Sequence, residues 1–181
     1  MEQHKTYSFK AKDIAVIGLM IAVKIILTRF LAIETQFVRI GFSFIPSVLL
    51  AIMYGPWVGA TSGALADLLG FFLFPKGFPY YPGYTLSAAI GPMIYGLILY
   101  RKKLTLWRIV AACVAVTVLV NVGMNSLWLR ILYDQAFWGM LPIRLAKNII
   151  SLPIESGILY WITGNKSIQR VLENYSIKWT H

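Results

Sequence analysis

Six apolar stretches fill almost all of this 181-residue chain, yet seven of its lysines and arginines, and Asp67, sit inside those stretches or at their far ends. A basic side chain at bilayer depth costs roughly 2.5–3.5 kcal/mol on insertion scales, so such residues normally face a water-filled or ligand-filled interior. The pattern implies a membrane protein built around an anionic ligand.

With 58% hydrophobic residues, 13% charged residues and a mean hydropathy of +0.67, the chain lies outside the range of soluble domains of its size. A membrane-spanning helix needs about 20 residues. The apolar blocks are too continuous, and too poor in strict alternation, to be outer-membrane strands. The expected fold is therefore an all-α integral membrane protein, one domain over 1–181 with six transmembrane helices. The only cysteine, Cys113, lies in an apolar block, so no internal disulfide can form. The N-terminal segment leads into a long first helix without a small-residue cleavage site, which reads as a retained helix and not a signal peptide.

Apolar periodicity and punctuation predict helices over about 11–31, 38–54, 57–73, 84–100, 107–131 and 139–164, followed by a tail. Tyr54-Gly55-Pro56 marks a tight turn between the second and third helices. Residues 74–83 form a loop rich in Pro, Gly and aromatic residues, expected to be an ordered lid.

An even number of spans puts both termini on one side. That side collects Lys5, Lys10, Lys12, Arg101, Lys102, Lys103, Arg108, Lys166, Arg170 and Lys178, so both ends are expected in the cytoplasm. These ten residues are explained by topology and by contact with anionic membrane lipids. They are split among a tail, a loop and a second tail and form no single stripe, which argues against nucleic acid as a partner. The other seven, Lys24, Arg29, Arg39, Lys76, Arg130, Arg144 and Lys147, run against that bias and carry the functional information.

Arg144 and Lys147 are three apart on the sixth predicted helix, with Asn148 and Ser151 continuing the same face. Adjacent cations repel unless an anion lies between them, which favours a carboxylate clamp over snorkelling or pairing with an internal acid. Asn121, Asn125 and Trp128 fall on one stripe of the fifth helix, either as cross-helix glue or as a ligand-facing wall. Asp67 follows Gly59 and Gly63 and precedes Gly70, glycines that let neighbouring backbones approach closely. It is either neutralised by a buried Arg such as Arg39 or accepts hydrogen bonds from ligand N–H groups. Phe42, with Phe74, Phe78, Tyr80, Tyr81 and Tyr84, supplies rings for an interfacial belt or for stacking on a flat heterocycle. On the first helix, Ala11, Ala15, Gly18 and Ala22 make a small-residue strip suited to internal packing or to a partner helix.

There is no phosphate-binding G-x-x-x-x-G-K-[ST] loop, and the two histidines, His4 and His181, stand at opposite ends. No cluster has metal-ligand spacing, so catalysis and a bound metal or cofactor are not expected, and any energy for transport must come from another protein.

Taken together, Leu27-Thr28-Arg29-Phe30, Arg39-Ile40-Gly41-Phe42-Ser43-Phe44-Ile45-Pro46, Gly63-Ala64-Leu65-Ala66-Asp67-Leu68-Leu69-Gly70, Pro82-Gly83-Tyr84-Thr85-Leu86-Ser87 and Asn125-Ser126-Leu127-Trp128-Leu129 resemble the folate-specific substrate-binding component of energy-coupling factor transporters. The resemblance spans the first helix through the sixth. It implies a multi-pass protein of the bacterial cell membrane with six helices and a ligand pocket near the extracellular side. It also implies a complex with a membrane coupling subunit and two cytoplasmic ATPases, which would consume the ATP. The family's small-residue contact motif falls on Gly18 and Ala22, extended by Ala11 and Ala15, with Gly where the family carries Ala.

Folate joins a flat pterin, an aryl ring and a glutamate with two carboxylates. The ligand set this implies is Asp67 on the pterin N–H edge, Asn125, Thr85 and Tyr84 completing its hydrogen bonds, and Trp128 and Phe42 stacking on the rings. Arg39, Arg144 and Lys147 would meet the glutamate, with Arg29 and Lys76 as outer attractors. Alternatives of the same class are other planar anionic vitamins; of different classes, a membrane-embedded enzyme or a structural or channel protein.

Overall fold

The computed structural model describes residues 10–34, 39–75, 80–133 and 136–177. It is helical apart from one short antiparallel pair. In chain order the elements are α1 (Ala11–Arg29), β1 (Ile33–Glu34), β2 (Arg39–Ile40), α2 (Phe44–Tyr54), α3 (Pro56–Leu73), α4 (Pro82–Leu99), α5 (Leu106–Val116), a π-helical segment (Thr117–Met124), α6 (Asn125–Tyr133), α7 (Ala136–Gly164) and α8 (Lys166–Ile177). By length and composition, α3, α4 and the continuous run Leu106–Leu132 can each cross a membrane, and α2 is a shorter apolar helix. Large apolar side chains such as Leu19, Phe72, Leu97, Leu119, Ile149 and Ile150 are exposed, as a lipid-facing surface requires.

Each predicted helical stretch falls on helix, with two differences in extent. The second begins at Phe44 and not at 38, because Ile33 pairs with Ile40 and Glu34 with Arg39 in a hairpin. Gly41 closes against that hairpin, where a Cβ would sit 2.7 Å from the Ala32 methyl. The tail after 164 is a further helix, α8, whose Leu172 enters the core.

Contacts fix the direction of the helices. Arg29, Asp67, Thr85, Trp128 and Arg144 gather at what we call the upper end, while Asp13, Tyr54, Gly96 and Leu172 gather at the lower. At the lower end the Asp13 carboxylate accepts the Lys10 amide N–H at 3.1 Å, closing the first turn of α1 where a negative charge suits the helix dipole. Its other oxygen accepts the Tyr54 hydroxyl at 3.4 Å, which ties α1 to α2. Gly55 joins α2 to α3 at φ 91°, a left-handed conformation that favours glycine, and Pro56 opens α3.

The tightest seam is α3 against α4. A Cβ on Gly63 would run into the Ala88 carbonyl, one on Gly59 would lie 3.2 Å from the Pro92 carbonyl, and one on Gly96 would lie 2.5 Å from Pro56 Cα. Small residues here let two backbones meet, which is how helices associate in a solvent that gives them no hydrophobic drive. The buried core, with Val48, Leu50, Leu99, Ile109, Cys113 and Leu159, lies below the upper cluster and is closed from beneath by Leu172.

Candidate ligand site

Asp67 stands on α3 one turn below Gly70, facing the start of α4. Thr85 Oγ1 donates to Asp67 Oδ2 at 2.8 Å, and the Tyr80 hydroxyl lies 3.1 Å from the same Thr85 oxygen. The carboxylate is thus held from one side, and among the described residues nothing bonds its Oδ1. The Arg29 guanidinium arrives from α1 above this point, with Nε 3.1 Å from where a Gly70 Cβ would be. A larger residue at 70 would push that charge away.

Trp128, on α6, donates its indole N–H to Ser87 Oγ at 3.0 Å, which sets the ring across the first turns of α4. Tyr81 packs against it with centroids 5.7 Å apart, and Tyr84 meets Tyr81 edge-on at 6.0 Å. Gly83 lies under both: a Cβ there would strike Tyr81 and come within 2.7 Å of the Trp128 ring. The wall of rings depends on that glycine. A second group, Phe71, Phe72 and Tyr80, continues it along α3, and Phe30 closes on Phe74 at 5.2 Å.

Asn125 lies one turn from Trp128 on the same helix. Its side-chain Oδ1 is buried with no hydrogen-bond partner among the described residues. A buried amide oxygen without a donor is costly, so a ligand N–H reaching it would be favoured.

Arg144 reaches across from α7. Its Nη1 donates to the Asn125 carbonyl at 3.3 Å and its Nη2 to the Asn121 carbonyl at 3.5 Å. Lys147, half-buried, follows one turn on, and Asn148 is buried beside it.

The structure therefore brings Asp67, Thr85, Tyr84, Asn125, Trp128 and Arg144 to one end of the bundle, with Lys147 one turn further along α7. Thr85 is engaged by Asp67, and both terminal nitrogens of Arg144 are turned to main-chain carbonyls. Phe42 is 52% exposed at the entry to α2, and no ring contact joins it to the Tyr81–Trp128 group among the described residues. The Arg39 side chain, Lys76 and Phe78 lie outside the described residues, and with them the pairing of Arg39 with Asp67. Sequence reasoning named Tyr80 only as a ring and missed Ser87 and Gly83 as supports. The Pro82-Gly83 pair was the available signal for the last, since a glycine inside a helix start needs a packing reason.

The strip of Ala11, Ala15, Gly18 and Ala22 on α1 is exposed along its length, and nothing among the described residues approaches a Cβ built on Gly18 within 4 Å.

Known proteins share this fold. The family described as ECF transporter, substrate-specific component, matches residues 12–163. A folate transporter, FolT, of Clostridium novyi (strain NT) is 45% identical over 141 residues, 78% of this chain and 81% of that protein. Another folate transporter FolT, of Leuconostoc mesenteroides subsp. mesenteroides, is 29% identical over 163 residues and 87% of each chain. A crystal structure of FolT bound with folic acid matches the fold with a TM-score of 0.82 at 38% identity, covering 87% of this chain and 96% of that one. The resemblance carried by the motifs is borne out at the level of the family, which is a transport component and not an enzyme. On a match that runs from α1 through α7, this chain belongs to the substrate-specific components of ECF transporters.

Proposed function

We propose that the chain is the folate-binding subunit of an ATP-driven vitamin importer, capturing folate outside a bacterial cell membrane. One juxtaposition carries the reading. A carboxylate held by Thr85, a tyrosine–tryptophan wall, an Asn125 oxygen without a partner among the described residues and the Arg29 and Arg144 cations share one end of a fold whose solved relative holds folic acid. A pterin presents an N–H edge and flat faces; a glutamate presents two negative charges. In this reading Asp67 Oδ1 and Asn125 Oδ1 take the pterin edge with Tyr84 and Thr85 beside them, and Trp128 and Phe42 cover the rings. Lys147 and Arg39 neutralise the carboxylates, and Arg144 adds its positive field. The family's function supports the partners: a membrane coupling subunit that docks on the Ala11, Ala15, Gly18 and Ala22 strip, and two cytoplasmic ATPases. The charge bias supports six spans with both termini in the cytoplasm, which turns the upper end outward.

The test is titration of nanodisc-embedded protein with folate. Saturable quenching of tryptophan fluorescence at one ligand per chain is expected, because a pterin stacked on Trp128 drains its emission. No quenching, with folded protein, overturns the reading.

A further inference from the structure

The run from Leu106 to Tyr133 changes phase in its middle. Ile109, Cys113, Val116 and Val120 are buried at spacings of four, three and four, the mark of one α-helical face. Seven residues beyond Val120, that face would bury Leu127. Instead Leu127 is 51% exposed, while Ser126 and Leu129 are buried at 8% and 1%. By an α-helical count Ser126 and Leu129 lie about 240° and 180° round from Val120, so the inward face changes by roughly half a turn, and the π segment Thr117–Met124 is where it changes.

A return from i→i+5 to i→i+4 bonding passes over one carbonyl. The last wide-turn bond runs from the Asn125 N–H to the Val120 carbonyl, which puts the carbonyl passed over at Asn121. A main-chain acceptor stranded in a membrane helix needs a donor from elsewhere. Arg144 is that donor: Nη2 reaches the Asn121 carbonyl at 3.5 Å and Nη1 the Asn125 carbonyl at 3.3 Å. One planar cation bridges the last π turn and the first α turn, and the residues set by the new phase are Asn125 and Trp128.

The geometry points to Arg144 as a positioning residue: it locks the π segment, and the π segment aims Asn125 and Trp128 at the ligand. This rests on the folate reading and alters it in one respect, since a guanidinium spent on two carbonyls acts on the pterin side of the site through the helix, not on the glutamate directly. Lysine cannot replace it, because an ammonium is a point charge without a planar fork that spans two acceptors.

The experiment compares wild type, Arg144→Lys, Arg144→Ala and a deletion of Val122, which removes the extra residue. Each is placed in nanodiscs and measured for affinity to folate and to pteroate, which lacks the glutamate, and for amide exchange in residues 117–125. Arg144→Lys and Arg144→Ala are expected to weaken both ligands by the same factor, about ten-fold or more, and to speed exchange in 117–125 while leaving α3 and α4 unchanged. The deletion is expected to abolish binding of both. Loss confined to folate, with exchange unchanged, overturns the inference and makes Arg144 a direct carboxylate ligand. If wild type binds neither ligand the folate reading falls, and the exchange comparison still decides whether Arg144 locks the segment. Arg144→Lys keeps the charge in place, so the test holds even if Arg144→Ala does not fold.

Discussion

The Thr85 hydroxyl reaches the Asp67 carboxylate across the α3–α4 seam at 2.8 Å, joining residues 18 apart in sequence. The bond occupies one carboxylate oxygen and orients the other. An aspartate fixed in this way keeps its second oxygen as an acceptor in a set direction.

Asp67→Asn replaces an acceptor by a group that is half donor and removes the charge. Folate affinity is expected to fall about 10- to 100-fold, the range for a hydrogen bond to a charged group. Thr85→Val, which frees the carboxylate to rotate, should cost less. Fluorescence titration of both variants checks the order.

Lys147→Ala is expected to weaken folate more than pteroate if, as proposed, the side chain serves the glutamate. Isothermal titration with the two ligands measures the ratio; equal losses would remove Lys147 from the carboxylate subsite.

Gly63→Ala drives a methyl into the Ala88 carbonyl. Both partners are backbone in packed helices, so relief must come from parting α3 and α4, at about 1–3 kcal/mol or more. Gly157→Ala, on α7, meets nothing within 4 Å among the described residues and gains helix propensity. Thermal unfolding in detergent should therefore show a lowered midpoint for the first and an equal or raised one for the second.

How much of this could be read beforehand differs element by element. The limits of α3 and α4 were legible because Gly55-Pro56 and Pro82-Gly83 punctuate them, and the glycine face of α3 because its spacing has only one use in a membrane. The start of α2 was not, since Arg39 and Ile40 continue an apolar run whose pairing with β1 is a tertiary fact. The π segment escaped because Val118, Val120 and Val122 carry no mark of hydrogen-bond register. Asp67, Thr85, Asn125 and Trp128 were legible singly by residue type. That Thr85 binds Asp67, and that Ser87 holds Trp128, needed the fold. Asp13 passed unnoticed at the head of α1, its partner Tyr54 being 41 residues away.

Gly83→Ala should disturb the ring wall, since its methyl would meet Tyr81 and Trp128. We expect loss of folate binding with a shift in tryptophan emission in the unliganded protein. Ser87→Ala, which only takes the acceptor from the indole N–H, should leave binding weakened but measurable by the same titration.

Tryptophan at both Gly18 and Ala22 is expected to abolish folate uptake by cells expressing the complete transporter while leaving equilibrium binding by the isolated subunit intact. Radiolabelled uptake set beside binding separates the two; unchanged uptake would move the coupling contact to another face.

The interlocked backbones of α3 and α4 also limit how this subunit can change shape. With Gly63 against the Ala88 carbonyl and Gly96 against Pro56, neither helix can slide along the other without collision. They travel as one plate, and Asp67 and Thr85 ride on it at constant separation. Any change of shape at the upper end must then come from the elements around this pair, with the Asp67–Thr85 edge as its fixed part.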